Sequence, residues 1–201
     1  MKFEGIIETI NKMIYGWYTV DENTDFCNNL LSLADQTVKN KHIIRIKRDR
    51  FTEACWKTIV FAELECNDIT ELRKELKSVI NWVALLKQCL IGTENVDLYL
   101  FLAFTNYTDQ EEFIRIESTE EICRKYVLMP DECIEDFLNR TFLHRIIENR
   151  SQTGRQDPIE KAFENTNKDM ILINEEDQKK WTDYFFEYSG KELADKLICE
   201  G

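Results

Sequence analysis

The sequence predicts an α/β or α+β fold, with a central mixed sheet, flanking helices and a helical C-terminal extension. Apolar residues recur at helical spacing in several segments, while other short segments are rich in β-branched and aromatic residues. The 201 residues include 6 Gly and 2 Pro, so few breakers interrupt long regular elements. We expect a core domain at residues 1–147, a linker or exposed loop at 148–158 and the helical extension at 159–201.

The N-terminal part alternates helices and strands. Phe3 to Ile14 and Phe26 to Val38 have the apolar spacing of amphipathic helices. Asp21 or Thr24 is available as N-cap of the second helix. The β-rich stretch Trp17 to Val20 predicts a short strand between the two.

The best-specified helix covers Ile69 to Leu86. Asp68 can cap its first turn, and Glu71 stands at the position that closes a capping box. Gly92 follows and indicates where the helix has ended.

Three further segments predict strands: His42 to Lys47, Thr58 to Leu64 and Val96 to Phe104. The last is almost continuously apolar, so it is expected to be buried on both faces in the middle of the sheet. In Phe113 to Ile116, apolar and polar residues alternate less regularly, so this segment is a weaker strand candidate.

The segment after residue 117 is predicted to contain more helix. Ser118 to Glu121 resembles a second capping box, and Pro130 ends the unit that follows it. Asp131 can then cap a helix that carries Ile134 to Phe142.

Charge and cysteine usage limit the class of protein. The net charge is −12, whereas nucleic-acid binding over a whole surface requires a basic protein. The 7 cysteines are odd in number and match no zinc spacing, which favours reduced, buried thiols and a cytoplasmic protein. The first residues do not resemble a secretory signal, and no apolar run approaches the length of a membrane span.

Motifs for catalysis, cofactors and metals are missing from the sequence, so we expect a protein that is not an enzyme. There is no GxSxG, GxxxxGK or HExxH, and there are two histidines. The alternative is a Mg²⁺-dependent nuclease-like site at Glu63 and Glu65, whose side chains share one face of a predicted strand. That pattern lacks the lysine expected two residues later.

Two clusters are candidate contact sites. Arg45, Lys47 and Arg48 concentrate positive charge and predict contact with DNA or an acidic partner, or else a charged edge strand that resists aggregation. Tyr184 and Tyr188 belong to an aromatic stripe with Trp181 and Phe185, which either packs inside the fold or binds a partner.

Two segments carry a family resemblance: Ile122 to Leu128, with the run Cys-Arg-Lys-Tyr-Val, and Asp136 to Leu143, with the run Phe-Leu-Asn-Arg-Thr-Phe-Leu. With the order of elements before them, they resemble the middle component of bacterial ABC-three-component conflict systems, the group that includes Lamassu-type defence. The similarity extends over about Thr58 to Leu143. By position it implies partner contacts at Arg124, Lys125, Tyr126 and Arg140.

The resemblance implies an adaptor without catalytic residues, which bridges an SMC-like coiled-coil ATPase and an effector, often a nuclease. DNA is then reached mainly through the complex, in anti-phage or anti-plasmid defence. For the Arg124–Lys125 pair, an internal ion pair that anchors the segment is an equal alternative to a partner contact. Besides the nuclease, the rival function is an acidic inhibitor or immunity protein that binds one toxic partner.

Overall fold

In the part of the chain that the structure describes, five strands form one mixed sheet, and helices cover both of its faces. The computed structural model describes residues 3–16, 18–22, 24–36, 38–49, 56–119, 121–144, 180, 183–184, 187–188 and 190–199. The elements are α1 (Glu4–Ile14), β1 (Tyr18–Asp21), α2 (Asp25–Ser32), β2 (Asn40–Arg48), β3 (Lys57–Glu65), α3 (Ile69–Cys89), a 3-10 helix (Gly92–Asn95), β4 (Leu98–Thr105), α4 (Gln110–Ser118), β5 (Arg124–Leu128), α5 (Ile134–Asn139) and α6 (Gly190–Cys199). The predicted class, a mixed sheet with flanking helices, is confirmed.

The strands follow one another across the sheet in the order β1-β2-β3-β4-β5. β1, β2 and β3 are antiparallel neighbours, whereas β3, β4 and β5 are parallel. Parallel strands need crossover connections, and α3 and α4 supply them. Crossover connections between parallel strands are right-handed. The two crossovers here step across the sheet in the same direction, so α3 and α4 cover the same face.

The first core lies between the sheet and α2, α3 and α4. Alternate strand residues such as Val60, Leu100 and Val127 are fully buried there. Trp82 of α3 is buried against them, and its indole Nε1 donates to the carbonyl oxygen of Leu30 at 2.9 Å. The bond satisfies the polar atom of the ring and connects α3 to α2.

The second core lies on the opposite face, under α1 and α5. Phe61 and Phe101 meet edge to face at 5.3 Å. Phe3, which directly precedes α1, packs on Phe61 at 5.2 Å, and Phe137 of α5 packs on Phe101 at 5.1 Å. β4 has both faces buried between β3 and β5, which confirms its predicted interior position.

The 21-residue helix α3 is capped as predicted by Asp68, the residue before its first turn. The Asp68 carboxylate accepts from the amides of Thr70 at 2.7 Å and Glu71 at 2.9 Å. The Glu71 carboxylate accepts from the amide of Asn67 at 2.9 Å, one residue before the position that a regular capping box uses.

Phe113 to Ile116, where apolar and polar residues alternate weakly, lie in a helix, α4. Asp109 caps this helix by accepting from the amides of Glu111 and Glu112, at 3.0 and 3.3 Å. Phe113 and Ile116 are three residues apart and both buried, so the spacing is helical.

Three predicted boundaries are wrong. Ser118 ends α4 and begins no capping box, because the chain continues into β5 after residue 123. The N-cap of α5 is Cys133, whose sulfur accepts from the amide of Asp136 at 3.4 Å, and not Asp131. α2 ends at Ser32, so Val38 is buried outside the helix.

In the described part of the chain, no helix is both long and apolar enough to cross a membrane. The predicted linker at 148–158 and most of the predicted extension lie outside the described residues, so those boundaries stay predictions.

Candidate partner-binding site

The fold brings together the two segments that carry the family resemblance. The first forms β5, which pairs with β4 and ends the described sheet. The second forms α5 and the turn after it, where Arg140 is the C-cap residue.

Arg140 connects these segments through an edge cluster, which we define as Glu117, Glu132 and Arg140. Its Nε and Nη2 donate to the two carboxylate oxygens of Glu132 at 2.5 and 2.9 Å. Its Nη1 donates to Glu117 at 2.6 Å, and its Nη2 also donates to the carbonyl oxygen of Val127. This arrangement is a bidentate pair with a second carboxylate added.

The edge cluster occupies backbone groups of β5. The amide of Val127 donates to Glu117 at 2.5 Å, and the amide of Met129 donates to Glu132 at 3.0 Å. Together with the Arg140 bond, side chains satisfy both backbone groups of Val127. An edge strand with occupied backbone groups is a poor template for a further strand.

The positive charge of Arg140 is paired within the fold with two carboxylates. Burial alone would lower the pKa of Arg140, but the hydrogen bonds and charges of Glu132 and Glu117 raise that pKa above its ordinary value. The guanidinium therefore remains a cation held between two carboxylates. Its side chain is 31% exposed.

The other three residues of the resemblance differ in exposure. Arg124 is exposed at the start of β5, and Tyr126 is half-buried with its ring edge to face with Phe101 at 5.4 Å. Lys125 is 5% exposed, and its ammonium donates to the carbonyl oxygen of Thr119. Partner contact at Arg124, Lys125, Tyr126 and Arg140 stays a prediction, and of these four Lys125 is the most buried.

Arg45 is not a surface residue, so its expected direct contact with DNA or a partner needs correction. Its Nε and Nη2 pair with both oxygens of Glu94 at 2.7 and 3.0 Å, and its Nη1 pairs with Asp21 at 2.7 Å. The hydroxyl of Thr58 donates to Glu94 at 2.6 Å.

Aromatic rings enclose the same guanidinium. The carbon atom of the guanidinium lies 4.4 Å from the ring centroid of Phe26 and 4.5 Å from that of Trp56. Burial alone would lower the pKa of Arg45, but the hydrogen bonds and charges of Glu94 and Asp21 raise that pKa above its ordinary value. Lys47 and Arg48 are half-buried beyond it on β2, and their contact with DNA or an acidic partner stays a prediction.

Glu63 and Glu65 lie on β3, two residues apart, as the nuclease alternative expects. They line a cavity of about 110 Å³ with Lys39 and Glu75. Across the described residues, no group of three His, Cys, Asp or Glu side chains is placed to hold a metal ion.

Buried cysteines are confirmed at Cys27, Cys66 and Cys123, whereas Cys89 and Cys133 are exposed. Burial raises the pKa of Cys66 and of Cys123 to about 11. Both thiols are therefore protonated at neutral pH and are poor nucleophiles.

Tyr184 and Tyr188 form an edge-to-face pair at 5.7 Å. The ammonium of Lys196 in α6 lies 5.9 Å and 5.6 Å from the two ring centroids. Trp181 and Phe185 lie outside the described residues, so the choice between internal packing and partner contact stays open for the stripe.

Residues 60–151 match the family described as ABC-three component (ABC-3C) system Middle Component 1. This supports the predicted resemblance at the level of that family. No curated protein and no solved structure gives a significant match to the chain.

The match to Middle Component 1 begins in β3 and covers α3, β4, α4, β5 and α5. It therefore includes the three members of the edge cluster, all of β4 and β5, and β3 from Val60 on. The four elements from α1 to β2 precede it.

Sequence reasoning missed the carboxylates that hold the two arginines. Glu117 and Glu132 lie 23 and 8 residues from Arg140, and Glu94 lies 49 residues from Arg45. Pairs so distant leave no periodic pattern in one sequence. The general rule that a buried arginine is paired predicts that such partners exist, but it does not say which carboxylates they are.

Proposed function

We propose that this chain is the non-enzymatic adaptor of an anti-phage or anti-plasmid complex of the Lamassu type. In this complex it bridges an SMC-like coiled-coil ATPase and an effector nuclease. The observation that carries the proposal is the match of residues 60–151 to the middle-component family.

The distribution of charge supports docking on proteins and does not favour a large DNA interface. The net charge is −12, and Arg45 and Arg140 are paired internally with carboxylates. An acidic surface repels phosphates but complements basic patches on a partner. DNA contact is then made mainly by other subunits.

The β5 edge is the favoured docking surface within the matched region. It carries exposed Arg124 and half-buried Tyr126 next to the edge cluster. Arginine and tyrosine are among the residue types that contribute most of the binding free energy at protein–protein interfaces, and this edge carries one of each.

The test is affinity purification of the tagged full chain with the proteins encoded beside it. We expect the ATPase to be retained by the wild type and lost with Arg124→Glu. The matched control is Arg73→Glu, which reverses an exposed arginine on α3. Equal retention by both variants would place the interface away from β5, and no retention by the wild type would contradict the adaptor function.

A further inference from the structure

A cavity of about 230 Å³ lies between α3, α4 and the loop before β5. Leu76 and Ile80 of α3, Ile116 of α4 and Ile122 of the loop form an apolar wall. Lys125 also lines it. The cavity reaches the surface, because Glu121 is exposed and the Arg115 side chain is 62% exposed, and both belong to its lining.

The buried ammonium of Lys125 is unusual because its partners are backbone carbonyl oxygens and not a carboxylate. The residue is 5% exposed, and Nζ donates to the carbonyl oxygens of Thr119 and, at 3.5 Å, Cys123. Among the described residues, these carbonyl oxygens are its hydrogen-bond partners and no carboxylate pairs with it. This differs from Arg45 and Arg140, each of which is paired with two carboxylates.

An ammonium has three donors, so the two carbonyl oxygens leave one donor without a described acceptor. Burying a charge without a counter-charge is costly, and an added carboxylate would give a charge-assisted hydrogen bond. The apolar wall beside the ammonium would receive an aliphatic group. The lining therefore selects a carboxylate that is carried next to an apolar side chain.

The size of the cavity favours a side chain over a whole small molecule. Small-molecule sites have volumes of roughly 300–1,000 Å³, above the 230 Å³ found here. A surface-connected pocket of this size suits one or two anchor side chains of a partner protein, which is where interface energy concentrates.

We propose that this cavity is an anchor pocket for a partner subunit, which inserts an Asp or Glu carboxylate onto Lys125 and an adjacent aliphatic side chain against Ile80 and Ile116. The inference rests on the proposed function for the partner's identity. The chemistry of the pocket itself is tested without the partner.

The first experiment titrates the purified full chain with 4-methylpentanoate and with 4-methylpentanamide, and follows methyl NMR signals. The two probes share the aliphatic group and differ in charge. We expect saturable shifts at Ile80, Ile116 and Ile122 with the carboxylate, and binding at least about tenfold weaker with the amide. Equal binding of the two probes, or no shift with either, would overturn the pocket.

Lys125→Met tests the cation, because it keeps an unbranched chain and removes the charge. It should weaken carboxylate binding at least about tenfold, whereas Lys77→Met, an exposed lysine on α3, should not. Ile80→Trp fills the cavity without changing Lys125, with Leu85→Trp, 49% exposed on the same helix, as control. Thermal melting of each variant confirms that it is folded, and carboxylate binding that survives both pocket variants would overturn the site.

The last experiment measures retention of the partner proteins by the same four variants. We expect the two pocket variants to lose a partner that the two controls retain. If the wild type retains its partners and the pocket variants do so equally, the pocket takes a free carboxylate and the docking proposal is wrong. If the wild type retains none, the proposed function fails, while the NMR result on the pocket still stands.

Discussion

At the scale of single residues, two arginines connect parts of the chain that are distant in sequence. Arg45 pairs with Asp21 and Glu94, and Arg140 pairs with Glu117 and Glu132. A planar guanidinium can serve two carboxylates at fixed angles, which a lysine cannot do. Both arginines were predicted to contact partners, and both have their main contacts inside the fold.

Replacing Arg140 by glutamine should destabilise the fold by about 1–3 kcal/mol, because it leaves two carboxylates and a carbonyl oxygen without their cation. Urea unfolding measures this loss. The control is Arg115→Gln, which breaks a pair with Glu112 on an arginine side chain that is 62% exposed and should cost clearly less stability. Equal losses in the two variants would show that the edge cluster adds no stability.

Two buried thiols predict a loss of stability in alkali. Burial raises the pKa of Cys66 and of Cys123 from 9.0 to about 11 in the folded chain. Between these values the unfolded chain loses the protons that the folded chain keeps, so stability present below pH 9 declines as the pH rises towards 11. Urea unfolding at several pH values measures this loss. The free energy of unfolding should decline less steeply with pH in Cys66→Ala than in Cys89→Ala, the exposed control.

At the scale of elements, local signals predicted α3 and β4 but not α4 and β5. A cap at Asp68 and a continuous apolar run in β4 are properties of neighbouring residues. In α4 the apolar residues Phe113, Ile114 and Ile116 fit either a helical or a strand period over a short span, and the segment forms a helix capped by Asp109. β5 has five residues, and its position depends on pairing with β4, which sequence alone does not reveal.

Removing the edge cluster should expose β5 to strand pairing. In Glu117→Ala with Arg140→Ala, both backbone groups of Val127 lose their side-chain partners. Sedimentation velocity should then show association that grows with concentration, beyond that of the wild type. The control is Glu112→Ala with Arg115→Ala, a pair on α4, and identical behaviour of the two double variants would contradict an edge-guarding role.

At the scale of the whole molecule, the described residues form one sheet that separates two cores. The buried core residues of the described chain all lie between Phe3 and Leu143. Most residues after this span lie outside the described part of the chain, so contact of the tail with other subunits stays a prediction.

A chain that ends at Gly154 should stay folded, with a melting temperature within about 5 °C of the full chain. It should no longer assemble, because Tyr184 and Tyr188 are removed. Tyr188→Ala in the full chain should reduce assembly without changing the melting temperature, with Tyr184→Phe as a mild control. A large fall in the melting temperature on truncation would show that the removed residues complete the core.

The proposed adaptor role requires that the chain join two other proteins and perform no chemistry itself. Reconstitution of the coiled-coil ATPase and the effector, with and without this chain, tests it most directly by size-exclusion chromatography with light scattering. We predict one particle that contains all three proteins, and separate elution of ATPase and effector when the chain is omitted. Association of ATPase and effector without it, or Mg²⁺-dependent DNA cleavage by the isolated chain that Glu63→Gln abolishes, would contradict the account.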